Sequence, residues 1–173
     1  ESYVTTGLET AGLGNDLRVK VKRTSASNDE QILFESDYGS IKAVQKGTGK
    51  VGFSRENHDY SFNYILPVNE WVELEFKNRK DVTELYVNGK LVSTIDPAKD
   101  KTSNEMADLT GNYKPLHATT MLPLARIGSE TNAFVGYVDD VRVGVNDTYN
   151  STMELDNALV IASKLVDKNP NLQ

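Results

Sequence analysis

Apolar and polar residues alternate over short runs along most of the chain, and turn-forming residues separate these runs. In segment 17–23, Leu17, Val19 and Val21 alternate with basic residues, so one face is apolar and the other is charged. An alternation of period two predicts β-strands with one buried face. The same kind of pattern predicts further strands at 31–35, 41–45, 50–54, 60–64, 71–76, 85–87, 91–92, 122–127 and 134–145.

The clearest local signal is Asn88-Gly89, which lies between two apolar runs. This dipeptide readily adopts the positive φ angles of a type I′ turn, so it predicts a two-residue hairpin. Many short strands joined by such turns, with almost no helical pattern between them, are typical of an antiparallel β-sandwich. We therefore expect an all-β jelly-roll sandwich.

The pattern changes in two places. Residues 96–116 are rich in Asp, Asn, Gly and Pro, which predicts a long surface loop. In segment 152–168 the apolar residues recur every three or four positions, which predicts an amphipathic helix. The chain is thus divided into a sandwich over 1–150 and, over 151–173, a C-terminal helix that serves as a tether or begins a following module.

Composition excludes several classes of protein. The chain has 173 residues, a net charge of −6 and no cysteine. It therefore has no disulfide scaffold, no thiol nucleophile and no cysteine-type zinc site. The acidic balance argues against nucleic acid or an anionic membrane as partner. The first residues carry neither a start methionine nor a signal-peptide pattern, which favours an excised domain, and we expect it to be a monomer.

Two motifs resemble a known family. The segments 69–74 (NEWVEL) and 84–92 (ELYVNGKLV) look like the laminin-G-like, concanavalin A-like jelly-roll family. The run FVGYVDDVRV at 134–143 resembles the pattern with which the same family closes. The resemblance covers about residues 15–145 and implies the same sandwich that the alternation predicts.

A narrower resemblance implies a function. The segments 32–36, 41–44 and 52–54 are similar to the modules appended to bacterial surface glycosidases, notably family 20 β-N-acetylhexosaminidases. This implies a non-catalytic carbohydrate-binding module that is extracellular or attached to the cell wall of a bacterium. Its expected partners are a galactose- or N-acetylhexosamine-containing glycan and a glycoside hydrolase domain of the same polypeptide. The alternatives are a ligand-free spacer domain and a protein-binding adhesin domain.

Sugar binding needs hydrogen-bond donors and acceptors beside an aromatic face. The loop after residue 54 offers this combination, and a nearby turn adds another tyrosine, so the first candidate residues are Arg55, Asn57, His58, Tyr60 and Tyr38. A second candidate cluster consists of Asn112, Tyr113 and His117. The alternative for both clusters is an ordinary solvated loop. Trp71 is expected to be buried in the sandwich, as the family resemblance implies, and not to be a sugar platform.

The acidic pair Asp139-Asp140 interrupts an apolar strand, and a β-bulge there would let Val138 and Val141 both face inward. Concanavalin A-like proteins often carry a structural Ca²⁺. We therefore consider Asp140 and Asp139 as calcium ligands, together with backbone carbonyls near 12–16. The alternative is a carboxylate that is hydrogen-bonded to backbone or paired with Arg142.

Catalysis has little support in the sequence. Glucanases of this fold need an aspartate between flanking acids on one strand, and Glu73-Leu74-Glu75 does not match that pattern. His58 and His117 have no serine or cysteine motif around them. We therefore expect the domain not to be an enzyme.

Overall fold

The computed structural model describes residues 2–8, 10–11, 15–55, 58–79, 82–96 and 122–145. This part of the chain contains strands and turns, with no helix that could span a membrane. Its strands are β1 (Ser2–Thr5), β2 (Thr10–Ala11), β3 (Asn15–Arg23), β4 (Gln31–Ser36), β5 (Gly39–Val44), β6 (Gly52–Arg55), β7 (His58–Ser61), β8 (Trp71–Asn78), β9 (Thr83–Val87), β10 (Lys90–Ile95), β11 (Leu122–Pro123), β12 (Arg126–Ser129) and β13 (Gly136–Val145).

The strands form two large antiparallel sheets. One has six strands in the order β1-β12-β4-β5-β6-β7, and the other has five in the order β10-β9-β8-β3-β13. A small third sheet joins β11 to β2. The all-β jelly-roll sandwich is therefore confirmed. The predicted helix over 152–168 and nearly all of the predicted loop over 96–116 lie outside the described residues.

Two local predictions are confirmed by the backbone. Asn88 and Gly89 both have positive φ, at 50° and 84°, and they connect β9 to β10 as a tight hairpin. On β13 the pairing with β3 shifts between Asp139 and Arg142, and Asp140 has a φ of 51°. This shift is the predicted β-bulge, which adds a residue to one strand and re-aims the side chains around it.

The core lies between the inner faces of the two sheets. Across the six-stranded sheet, Phe34, Ile41, Phe53 and Tyr60 stand opposite one another on neighbouring strands, and all four are buried. Phe76 of the five-stranded sheet meets them, since its ring centre is 5.9 Å from that of Phe53. Because successive residues of a strand point to opposite faces, the next row along these strands must face away from the core.

Candidate functional site

The structure brings part of the first predicted cluster to one end of the six-stranded sheet. Tyr38 lies in the turn between β4 and β5. The next residue, Gly39, pairs with Arg55, which in turn pairs with His58. These backbone positions therefore share one end of the sheet, as predicted. Asn57 lies outside the described residues, as do Asn112, Tyr113 and His117 of the second cluster.

The prediction for Tyr60 as a sugar-binding residue is wrong. Tyr60 is fully buried and pairs with Phe53 in the inward-facing row of the core. The loop was expected to continue to Tyr60, but β7 already begins at His58. Alternation along β7 therefore turns the Tyr60 ring into the core, where it has no face to offer to a ligand.

A continuous row of polar residues crosses the outer face of the six-stranded sheet. Each strand contributes one residue, directly opposite its neighbour in the pairing register, and the row is Thr5, Arg126, Glu35, Ser40, Ser54 and Asp59. Two of its members, Glu35 and Ser40, are buried although they face away from the core. We call these residues the polar row.

Arg126 is held in place by carboxylates. Its Nε donates to Glu35 Oε1 at 2.9 Å, and its terminal nitrogens lie 3.3 Å from Asp37 Oδ1. Ser129 Oγ donates to the second carboxylate oxygen of Glu35 at 2.8 Å. The hydrogen bond that it donates to Glu35 raises the pKa of the Arg126 guanidinium, which is therefore a fixed positive charge. These contacts orient the guanidinium before any ligand arrives.

The opposite end of the polar row is also organised by ionic contacts. Lys42 Nζ lies 3.4 Å from Asp59 Oδ1 and contacts the Glu30 carboxylate. Ser54 Oγ donates to the same Asp59 oxygen. Since the Lys42 side chain is only 10% exposed, its charge is recessed in this face. Arg126 towards one end of the polar row and Asp59 at the other are therefore both held in place by ionic contacts.

At the β1 end of the polar row, the surface forms a depression of about 320 Å³ with Tyr3, Thr5, Arg126 and Glu130 in its lining. The Tyr3 side chain is largely open to solvent, with 47% of its surface exposed. Its cross-strand partner is Gly128, where a Cβ would come within 2.3 Å of Ser2 O, so no side chain fills that position. The depression thus combines an aromatic ring with a fixed cation and carboxylates.

Sequence reasoning missed Tyr3 and Arg126. Residues 2–5 are Ser-Tyr-Val-Thr, which show no alternation of polar and apolar residues, so no local pattern identifies the strand that carries Tyr3. Arg126 and Glu35 are 91 residues apart, and only the pairing of β12 with β4 brings them together. No local pattern in the sequence predicts that contact.

The expectation that Trp71 is buried is wrong, because half of its surface is exposed. Val72 and Leu74 of the same strand face the core, so alternation places Trp71 on the outer face of the five-stranded sheet. There its ring centre lies 6.3 Å from that of Tyr137 on β13. Removing the Trp71 ring is therefore not expected to open a cavity in the core.

At the acidic pair the structure shows contacts to cations of the chain itself, and most of the predicted carbonyl ligands for calcium, at 12–14, lie outside the described residues. Arg142 Nε donates to Asp140 Oδ1 at 2.7 Å, and Lys20 Nζ lies 3.4 Å from Asp140 Oδ2. Both carboxylate oxygens thus already face cations, and the hydrogen bond from Arg142 lowers the pKa of Asp140. Nor does the described part of the chain contain a group of three or more acidic or histidine side chains suited to a metal. The geometry matches the alternative in which the carboxylate pairs with Arg142.

We expect the melting temperature of the domain to be the same with calcium and with a chelator. A bound ion would stabilise the native state by mass action, and its removal would lower the melting temperature. Thermal unfolding followed by circular dichroism in both buffers measures this. A drop in chelator that disappears in Asp140→Asn would restore the calcium site.

The solved structures that resemble this one include a galectin and a pentraxin. The crystal structure of galectin LEC-6 from Caenorhabditis elegans has 15% identity and a TM-score of 0.46, over 83% of this chain and 89% of the galectin. The crystal structure of a native heptameric SAP-like pentraxin from Limulus polyphemus has 11% identity and a TM-score of 0.49, over 82% of this chain and 67% of the pentraxin. No family model and no curated protein matches the chain. At such identities the likeness concerns the fold, which the sheet topology establishes by itself.

Proposed function

We propose that this domain binds glycans without catalysing a reaction and that its sugar site is the depression beside Tyr3 and Arg126. The observation that carries the proposal is the pairing of an exposed aromatic ring with a guanidinium fixed by two carboxylates. Small-molecule sites combine apolar surface with a few preset polar groups, and the smallest have volumes of about 300 Å³. The depression has this character and is large enough for one sugar unit.

The groups in the depression complement a neutral pyranose. Sugar hydroxyls both donate and accept hydrogen bonds, so they can accept from the Arg126 guanidinium and donate to the carboxylates of Asp37 and Glu130. The C–H face of the sugar ring carries a small positive potential, which suits the negative face of the Tyr3 ring. The three carboxylates near Arg126, those of Glu35, Asp37 and Glu130, disfavour an acidic sugar. The depression thus favours a neutral sugar, and the family resemblance narrows the proposed ligand to a galactose- or N-acetylhexosamine-containing glycan.

The family resemblance supports a wider role as an accessory module of a secreted bacterial glycoside hydrolase. A module of this kind holds the catalytic domain of the same polypeptide near its substrate, so that weak binding raises the local substrate concentration. An extracellular or wall-attached position belongs to the same proposal. Tyr38 remains a predicted contributor, since it is the chain neighbour of Asp37 at the edge of the site. Arg55 and His58 lie on β6 and β7, at least three strands from Arg126, so they remain predicted contributors, with Asn57, only for a longer glycan.

The acids on the opposite sheet support a non-catalytic role. Glu75 accepts two hydrogen bonds from Arg18, at 3.1 and 2.8 Å, and the bond to Glu75 raises the pKa of the Arg18 guanidinium. Glu73 also lies 3.9 Å from Arg18 Nε. Both carboxylates are thus already paired with the Arg18 guanidinium, as the surface ion pairs of a sheet are.

We expect the domain to bind neutral glycans on an array, with a Kd on the order of 10–1000 μM in titration, because a shallow site buries little area. Tyr3→Ala should weaken binding about tenfold through loss of the stacking ring. Asp37→Asn should weaken it less, because the amide still accepts one hydrogen bond. Leu91→Ala is the matched control, since Leu91 is about equally exposed but lies on β10 of the other sheet.

The possible outcomes distinguish glycan binding from the two alternatives, a ligand-free spacer and a protein-binding domain. Loss of binding in Tyr3→Ala but not in Leu91→Ala supports the proposed site. Equal binding by the wild type and Tyr3→Ala moves the sugar elsewhere and overturns the proposed site. An array on which the wild type binds no glycan overturns the proposal in favour of a spacer or a protein-binding domain.

A further inference from the structure

Two aromatic side chains stand side by side on the outer face of the five-stranded sheet. Lys22 of β3 pairs with Trp71 on one side and with Tyr137 on the other, so the three residues form one row across β8, β3 and β13. Trp71 is 50% exposed and Tyr137 is 60% exposed. Their ring centres are 6.3 Å apart and the ring planes are inclined by 40°. Together they make an open aromatic surface wider than a single ring.

The row next to these rings is charged. It consists of Glu73, Lys20 and Asp139, one on each of the same three strands. Lys20 is 3.4 Å from Asp140, whereas Lys22 forms no ion pair with any residue that the structure describes. The apolar surface is therefore narrow and bordered by charge, and Lys22 retains hydrogen-bond donors between the two rings.

We propose that Trp71, Lys22 and Tyr137 form a second carbohydrate-contact surface, which takes an oligosaccharide of at least two pyranose units. Each sugar ring presents a C–H face to one aromatic ring, and the Lys22 ammonium donates to a hydroxyl or a ring substituent between them. A protein partner fits this surface less well. A stable protein interface buries about 800 Å² on each side around an apolar centre, and here charged residues begin one row from the rings.

This surface is independent of the Tyr3 site. It lies on the other sheet of the sandwich and shares no residue with the polar row. The two sites together would let one domain engage a branched or polymeric glycan at two points, which raises avidity without strengthening either contact. Because the two sites share no residue, loss of sugar binding at one does not remove binding at the other, and each site needs its own measurement.

Trp71 is the only tryptophan in the chain, so its fluorescence reports on this surface alone. The full chain is titrated with N-acetylglucosamine and galactose oligosaccharides of one to four units, and with a uronic-acid oligosaccharide as the acidic arm. We expect a spectral shift and protection from a soluble quencher that strengthen from one unit to two. Tyr137→Ala should weaken the response about tenfold, whereas Leu91→Ala, at an exposed position on β10, should leave it unchanged.

A second variant identifies the role of the lysine. Lys22→Met keeps the apolar stem and removes the charge, so it should weaken the uronic-acid response more than the neutral one. The proposal is overturned if no oligosaccharide changes the Trp71 fluorescence, or if Tyr137→Ala titrates like the wild type while remaining folded. Protection of Trp71 by a protein but by none of the sugars would also overturn it.

Discussion

Replacing Arg23 by methionine is expected to lower the free energy of unfolding by about 3–5 kcal/mol. The Arg23 residue is only 4% exposed. Its guanidinium donates to three backbone carbonyls, those of Ser25 at 2.7 Å, Ser27 at 2.8 Å and Leu66 at 3.0 Å. Methionine fills similar space but leaves all three carbonyls without a donor.

Arg23 is unusual because its buried guanidinium binds backbone carbonyls of loops and not a carboxylate. Among the described residues no carboxylate forms a salt bridge with it, and burial lowers the pKa of its guanidinium. The free energy of unfolding of Arg23→Lys should lie between those of the wild type and Arg23→Met, because an ammonium cannot match the planar arrangement of guanidinium donors. Arg142→Met, at a largely exposed arginine, should leave stability nearly unchanged. Urea unfolding measures all three, and a methionine variant as stable as the wild type would contradict this account.

Truncating Phe76 to alanine is expected to cost about 3–5 kcal/mol. Phe76 is fully buried on the five-stranded sheet, and its ring lies 5.9 Å from those of Phe53 and Phe62, which are themselves 5.6 Å apart. This aromatic triangle connects the two sheets, so its loss opens a cavity in the middle of the core. Phe76→Leu should cost clearly less, because it preserves most of the volume.

A double-mutant cycle tests whether the contact between Phe53 and Phe76 contributes to the destabilisation by Phe76→Ala. Phe53→Ala and Phe76→Ala together should be less destabilising than the sum of the two, by about 0.5–1.5 kcal/mol. Leu91→Ala, at an exposed position, should change stability by no more than about 0.5 kcal/mol. Strict additivity of the two phenylalanine variants in urea unfolding would show that the rings act independently.

Local chemistry explains why so much of the fold was predictable from the sequence. The alternation of Leu17, Val19 and Val21 fixes which face of β3 is buried, and Asn88-Gly89 fixes the turn between β9 and β10. The bulge at Asp140 was predicted from the valines on either side of the acidic pair, of which Val138 packs against the core whereas Val141 is 37% exposed. Each of these features depends on residues a few positions apart, which is the range over which a sequence pattern is informative.

The candidate site was less predictable because its parts are distant in sequence. Tyr3, Asp37 and Arg126 come from the beginning, the first third and the last third of the chain, and only sheet pairing unites them. Tyr60 and Trp71 failed for other reasons. Tyr60 was assigned to a loop although β7 already begins at His58. For Trp71 the family resemblance was preferred to the alternation with Val72 and Leu74, which places Trp71 on the outer face.

The central claim is that a sugar binds in the depression beside Tyr3 and Arg126. The most direct measurement is to titrate the domain with a glycan that it binds on the array and to follow the backbone amide signals by NMR. We expect the largest shift changes at Tyr3, Thr5, Arg126 and Glu130, with a saturation curve that matches the Kd from titration. Saturable binding with those amides unmoved would contradict the claim.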